Sequence, residues 1–169
     1  MKKMAVIALL VFLPVGAGAA DLSTLQSSSM GVTLFFEMNG VLVQEVAKVP
    51  RDKMVENEMK SVIDLLAAGS AASGPVVPNK ARLETVFLGS GRTAYLNFNE
   101  NFVTDHPGGI TQEILTVAGV CQTVFANFDV DGIRFLVKGS ELKTIAGHVD
   151  IESVISRPQC DRLSQYRRE

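Results

Sequence analysis

VTLFFEMNGVLVQEVAKVP (residues 32–50) decides how the chain folds. Two runs rich in Val, Phe and Leu flank Asn39 and Gly40. Asn-Gly between β-rich runs predicts a two-residue type I′ turn, because both of its central residues need positive φ. In the first run Val32, Leu34 and Phe36 share one face and Thr33, Phe35 and Glu37 the other. That period of two is the strand signature. Pro50 closes the hairpin.

Downstream the period changes. Val55, Met59, Val62, Ile63 and Leu66 recur at helical spacing, and Gly69 is a natural stop. GSAASGPVVPNK (69–80) reads as a loop. RLETVFL, GSGR and TAYLNF (82–98) read as a second hairpin with a glycine-rich connection, and NENFVTDHPGG (99–109) as irregular. GSGR lacks the strand–GxGxxG–helix context of a nucleotide loop. Ile114, Val117, Ala118, Cys121, Phe125 and Phe128 form one apolar stripe, so a second helix starts near Ile110 or Thr111. Gln112 and Glu113 fall in its first turn, where an acid suits the helix dipole. IRFLV, KGS and ELKTI (133–145) predict a third hairpin after the Asp131-Gly132 turn.

Hairpins demand antiparallel pairing, and two amphipathic helices need a sheet face to cover. The expected fold is α+β: a two-layer sandwich in the order ββ-α-ββ-α-ββ. It has an antiparallel or mixed sheet of hairpins, with two helices packed on one face. Residues 32–151 form the domain, residues 21–31 a flexible leader and residues 152–169 a polar tail.

Residues 1–20 read as a secretory signal. Lys2 and Lys3 precede the apolar run MAVIALLVFL, and Pro14 and the small residues GAGAA follow. Such a run is too short for a comfortable permanent span. No Cys stands at the exit, so a lipid anchor is not expected. Removing these residues leaves 14 basic against 18 acidic side chains, a net charge of −4. A mildly acidic surface gives no support for nucleic-acid binding. The chain is expected in the periplasm or outside the cell, with no membrane span after cleavage.

The order of motifs resembles the GerMN domain, named after a bacterial sporulation and spore-germination protein. The pieces that carry the resemblance are VTLFFEMNGVLVQEVAKVPR, VIDLLAAG, VPNKARLETVFLGSGRTAYLNFNENFV, HPGG, EILTVAGVCQTVF, GIRFLVKG and TIAGHVDI. They follow the family's order across residues 32–151. The resemblance implies an exported, non-enzymatic domain that binds in the cell envelope, with an envelope protein or a peptidoglycan-type ligand as partner. The sporulation member has two such domains and a lipid anchor, and its domains are similar to ring-building modules of envelope channels. This chain has one copy and no anchoring Cys at the leader exit.

Candidate site residues are few. The turn His106-Pro107-Gly108-Gly109 opens the second helix, whose first amides have no intrahelical partner and attract carboxylate or phosphate. These four residues and His148 are the candidate ligand contacts. The structural alternative has the His106 ring bonding nearby backbone and His148 closing the last strand. The only cysteines, Cys121 and Cys160, suit a disulfide in an exported chain. The competing reading is an envelope-polymer hydrolase or amidase using Cys121 or the histidines. A nucleophilic thiol needs exposure and a lowered pKa, whereas Cys121 lies deep in an apolar stripe. His106 and His148, even with Asp105 and Asp150, show no metal spacing. No catalytic residue, metal or cofactor is assigned.

The mature protein is expected to begin at Ala20 or Asp21. Intact mass of protein from its native cells checks this, and a full-length chain in the inner membrane would contradict it.

Overall fold

The computed structural model describes residues 28–166. The signal read at residues 1–20 and most of the leader lie outside the described residues. Strands β1 (Ser29–Met38) and β2 (Val41–Pro50) pair antiparallel through Asn39 at φ 54° and Gly40 at φ 78°. The strand therefore begins within the stretch read as leader. Helix α1 (Val55–Ala68) buries Met59, Val62, Ile63 and Leu66 and stops at Gly69, φ 74°. Strands β3 (Leu83–Gly89) and β4 (Thr93–Phe98) form the second hairpin. A one-turn helix α2 (Asn101–Thr104) leads to α3 (Ile110–Asn127).

Strand β5 (Gly132–Val137) then lies parallel to β4. The β4–β5 connection carries α2 and α3, long enough for the crossover that parallel neighbours require. Two short strands pair antiparallel with β5: β6 (Ser140–Glu141) and β7 (Ile155–Ser156). Helix α4 (Arg157–Ser164) follows β7. The fold is α+β, and its detail refines the expected order in three places. The first hairpin is a sheet of its own beside the five-stranded β3–β7 sheet. ELKTI gives little strand, because backbone groups there bond elsewhere: Ile151 N–H to the Lys143 carbonyl, and Ile145 N–H to a carboxylate of α3. Residues 152–169, read as a polar tail, supply β7 and α4, with Cys160 fully buried against α3.

One apolar cluster joins both sheets to α1 and α3. At its centre Phe98 stacks on Phe102 at 4.1 Å and on Phe135 at 6.3 Å between ring centroids. Helix α3 also closes the outer edge of β1. Asn127 Oδ1 accepts from Thr33 N–H at 2.8 Å, Asn127 Nδ2 donates to the Thr33 carbonyl at 2.6 Å, and Thr123 Oγ1 accepts from Phe35 N–H at 3.1 Å. Glu37 and Gly74 exchange backbone bonds further along. Opposite residues of an antiparallel pair point their backbone groups the same way, inward or outward. Val46, Gln44 and Leu42, opposite Thr33, Phe35 and Glu37, therefore face out on the far side of β2, where no partner stands among the described residues.

At Gly119, α3 packs tightly against Val76 and the backbone of β1. A Cβ there would stand 2.9 Å from Val76 Cγ2 and 3.2 Å from the Phe35 carbonyl oxygen. Gly119→Ala is expected to destabilise the domain by about 1–3 kcal/mol through overpacking. Gly31→Ala, with nothing within 4 Å, is the control. Denaturant titration of both variants decides it, and equal midpoints would contradict the close approach.

Candidate functional site

The start of α3 is built on a buried acid. Glu113, in the first turn, has no exposed surface. Its Oε1 accepts from Ile145 N–H at 2.8 Å and Ala146 N–H at 2.9 Å; its Oε2 accepts from His148 N–H at 2.9 Å. His148 Nδ1 lies 3.2 Å from the same Oε2. Burial alone would raise the carboxyl's pKa. The amides of Ala146, His148, Ile145 and Val149 outweigh that and hold it below the usual carboxylate range. The carboxylate thus fastens the 145–149 loop to the positive end of α3. The sequence signal for this was slight: one acid among apolar residues, read there as a dipole partner.

His106 serves the turn before α3. Its Nδ1 accepts Gly108 N–H at 3.0 Å. Thr116 Oγ1 donates to the Val76 carbonyl at 2.7 Å, so the ring Nε2–H donates to Thr116 Oγ1 at 3.2 Å. The network assigns a neutral Nε2–H tautomer. Burial lowers the ring's pKa, opposed by the Glu113 charge. Gly108 (φ 80°) and Gly109 (φ 82°) both take left-handed φ, as a sharp entry into the helix requires. Pro107 and Gly109 are exposed.

Beside this turn lie two adjoining hollows. One, about 460 Å³, is walled by the hairpin tip (Asn39, Gly40, Val41), by Ile114 and Leu115 of α3, and by Tyr166. The Thr111 hydroxyl, also in its wall, is buried without a partner among the described residues. The other, about 340 Å³, sets His148, Asp150 and Arg162 around an apolar floor that includes Ile110 and Leu163. His148 therefore lines a hollow, whereas His106, Pro107, Gly108 and Gly109 line neither. Sequence reasoning missed Ile110, Arg162, Leu163 and Tyr166, because the last three arrive on a segment that looked like solvated tail.

Cys121 and Cys160 are fully buried free thiols. Burial, then contact with Cys160, pushes the Cys121 thiol well up. That is the opposite of an activated nucleophile. Among the described residues no three His, Cys, Asp or Glu side chains gather as a metal site. Nor, among them, is any helix long and apolar enough to cross a membrane.

A family model described as "Germane: Sporulation and spore germination" matches residues 33–143. The chain belongs to the Germane family. Solved structures carry the same fold. The first GerMN domain of the sporulation protein GerM from Bacillus subtilis is 19% identical with a TM-score of 0.63, covering 76% of this chain and 98% of that one. The tandem GerMN domains of GerM give 19% and 0.63 over 77% of this chain and 47% of that longer one. The "Putative Lipoprotein from Clostridium perfringens" gives 20% and 0.56, over 77% of this chain and 89% of that one. No curated protein matches the chain. At these identities the structural likeness speaks for the GerMN fold, not for a task.

The His106 pKa is lowered on folding from 6.5. The unfolded chain then takes up the proton first, so the stability this ring contributes is full above about pH 6.5 and lost as pH falls below it. Protonation at Nδ1 would also remove the acceptor for Gly108 N–H. The melting temperature is expected to fall between pH 7 and pH 5, and less steeply in His106→Asn. Equal slopes in the two proteins would show that His106 is not held neutral.

Proposed function

We propose that the chain is an exported, non-enzymatic binding and scaffolding module of the bacterial cell envelope, taking an envelope protein or a peptidoglycan-type ligand. The observation that carries the reading is a contrast. The side chains a hydrolase would need are committed to the fold: His106 to Gly108 and Thr116, Glu113 to the 145–149 amides, and Cys121 to the core. One of the hollows beside the α3 start, by contrast, opens onto an apolar floor ringed by His148, Arg162 and Asp150. Small-ligand and peptide sites have this make-up of apolar walls and a few polar groups.

Two features give such a module its contacts. The turn His106-Pro107-Gly108-Gly109 presents first-turn amides suited to a carboxylate. The outward edge of β2, with Val46 74% exposed, suits an added strand. The similarity to a protein described as a putative lipoprotein supports the exported reading, alongside the signal read at residues 1–20. The runner-up, a hydrolase using Cys121, requires a thiol that burial hides.

Co-sedimentation of the mature domain with a crude envelope fraction tests the reading. Retention is expected without release of soluble fragments, and Arg162→Glu with Tyr166→Ala should weaken it at least tenfold. Fragment release that disappears in Cys121→Ser would establish the hydrolase, and no retention at all would contradict the binding module.

A further inference from the structure

Helix α4 is eight residues long and strongly polar, too short to be stable alone. Its first half is anchored. Ser156 and Gln159 form a capping box, with Pro158 in the first turn. The Arg157 guanidinium donates to the Phe125 carbonyl at 3.1 Å and lies 4.7 Å over the Phe125 ring. Cys160 packs into α3, its Sγ 3.9 Å from the Ala118 carbonyl, one turn before Cys121, and both cysteines are fully buried there. Past Cys160 the helix has exposed polar residues, yet Leu163 and the following Tyr166 wall the hollows. Anchor and wall are thus one turn apart.

We propose that Cys121 and Cys160 are oxidised to a disulfide in the mature protein, and that this bond clasps α4 to α3 and fixes the binding wall at Leu163 and Tyr166. The proposal rests on the exported reading, since only an oxidising compartment keeps such a bond. The two thiols give up two protons and two electrons as the S–S bond forms. The oxidant is a protein disulfide of the thiol–disulfide oxidoreductase class, whose own S–S bond breaks and which leaves as a dithiol. The first step is attack by one cysteine thiolate on that disulfide, and the second cysteine resolves the mixed disulfide. Both sulfurs are sealed in the folded domain, so oxidation accompanies folding, before α4 docks. Once closed, the bond is out of reach of reductant in the native state.

Protein is isolated from its native cells under alkylating conditions, and its mass and thiol content are read in denaturant. No reactive thiol before reduction and two after it are expected. In the unreduced native protein the bond should resist dithiothreitol until denaturant is added. The double variant Cys121→Ala with Cys160→Ala should melt roughly 10 °C lower. Its amides at 161–166 should exchange at least tenfold faster than those of the oxidised protein. A chain that has lost residues 1–20 yet carries two free thiols overturns the disulfide, and unchanged exchange at 161–166 overturns the clasp. A full-length chain with two free thiols overturns export instead. The pairing is then decided by refolding the reduced protein with glutathione disulfide, where an internal bond supports the pair and glutathione adducts alone reject it.

Discussion

Three backbone amides converging on the buried carboxylate of Glu113 hold together the corner where α3 begins. A carboxylate with no exposed surface survives only when its lone pairs are filled and its charge is balanced. Here the amides fill it, the positive end of α3 balances it, and His148 adds a ring N–H. Several consequences follow from that one charge. ELKTI (141–145) loses most of the strand that its sequence favours, since Ile145 N–H turns toward Glu113. Val149 and Ile151 then enter the core, and His148 is held at the rim of a hollow.

Helix α3 is the element through which these constraints act. Its apolar stripe meets the core, its start carries Glu113, and its last turns cap β1 through Thr123 and Asn127. Its middle, at Gly119, has no side chain because Val76 and the Phe35 carbonyl occupy that space. One edge of the first hairpin is fastened to a helix, and among the described residues the other edge has no partner.

What the sequence revealed depended on how local the cause was. The first hairpin, α1 and α3 were legible, because Asn39-Gly40, the 3.6-residue stripes and Gly69 act within a few residues of themselves. The parallel pairing of β4 with β5 was not, since it depends on a crossover that local patterns do not encode. Glu113 looked like a surface acid at a helix start. Its burial is decided by residues 145–149, more than thirty positions away. The final segment looked polar because seven of its eight helical residues are not buried; Cys160 alone marks the face that packs. Of the five candidate contacts named from the sequence, only His148 lines a hollow. Arg162, Leu163 and Tyr166 reached the site only through tertiary packing.

Membership in the Germane family fits this arrangement of a shared frame with open corners. The GerMN fold is shared with solved domains at 19–20% identity, so the task of each member lies in side chains laid on the frame. Hydrogen exchange of Glu113→Gln measures the central interaction most directly. Glutamine keeps the shape but replaces one acceptor oxygen with a donor and removes the charge. The amides of Ile145, Ala146 and His148 are expected to exchange at least a hundredfold faster than in the wild type, with a lower melting temperature. Unchanged protection at those three amides in a folded Glu113→Gln protein would contradict the account.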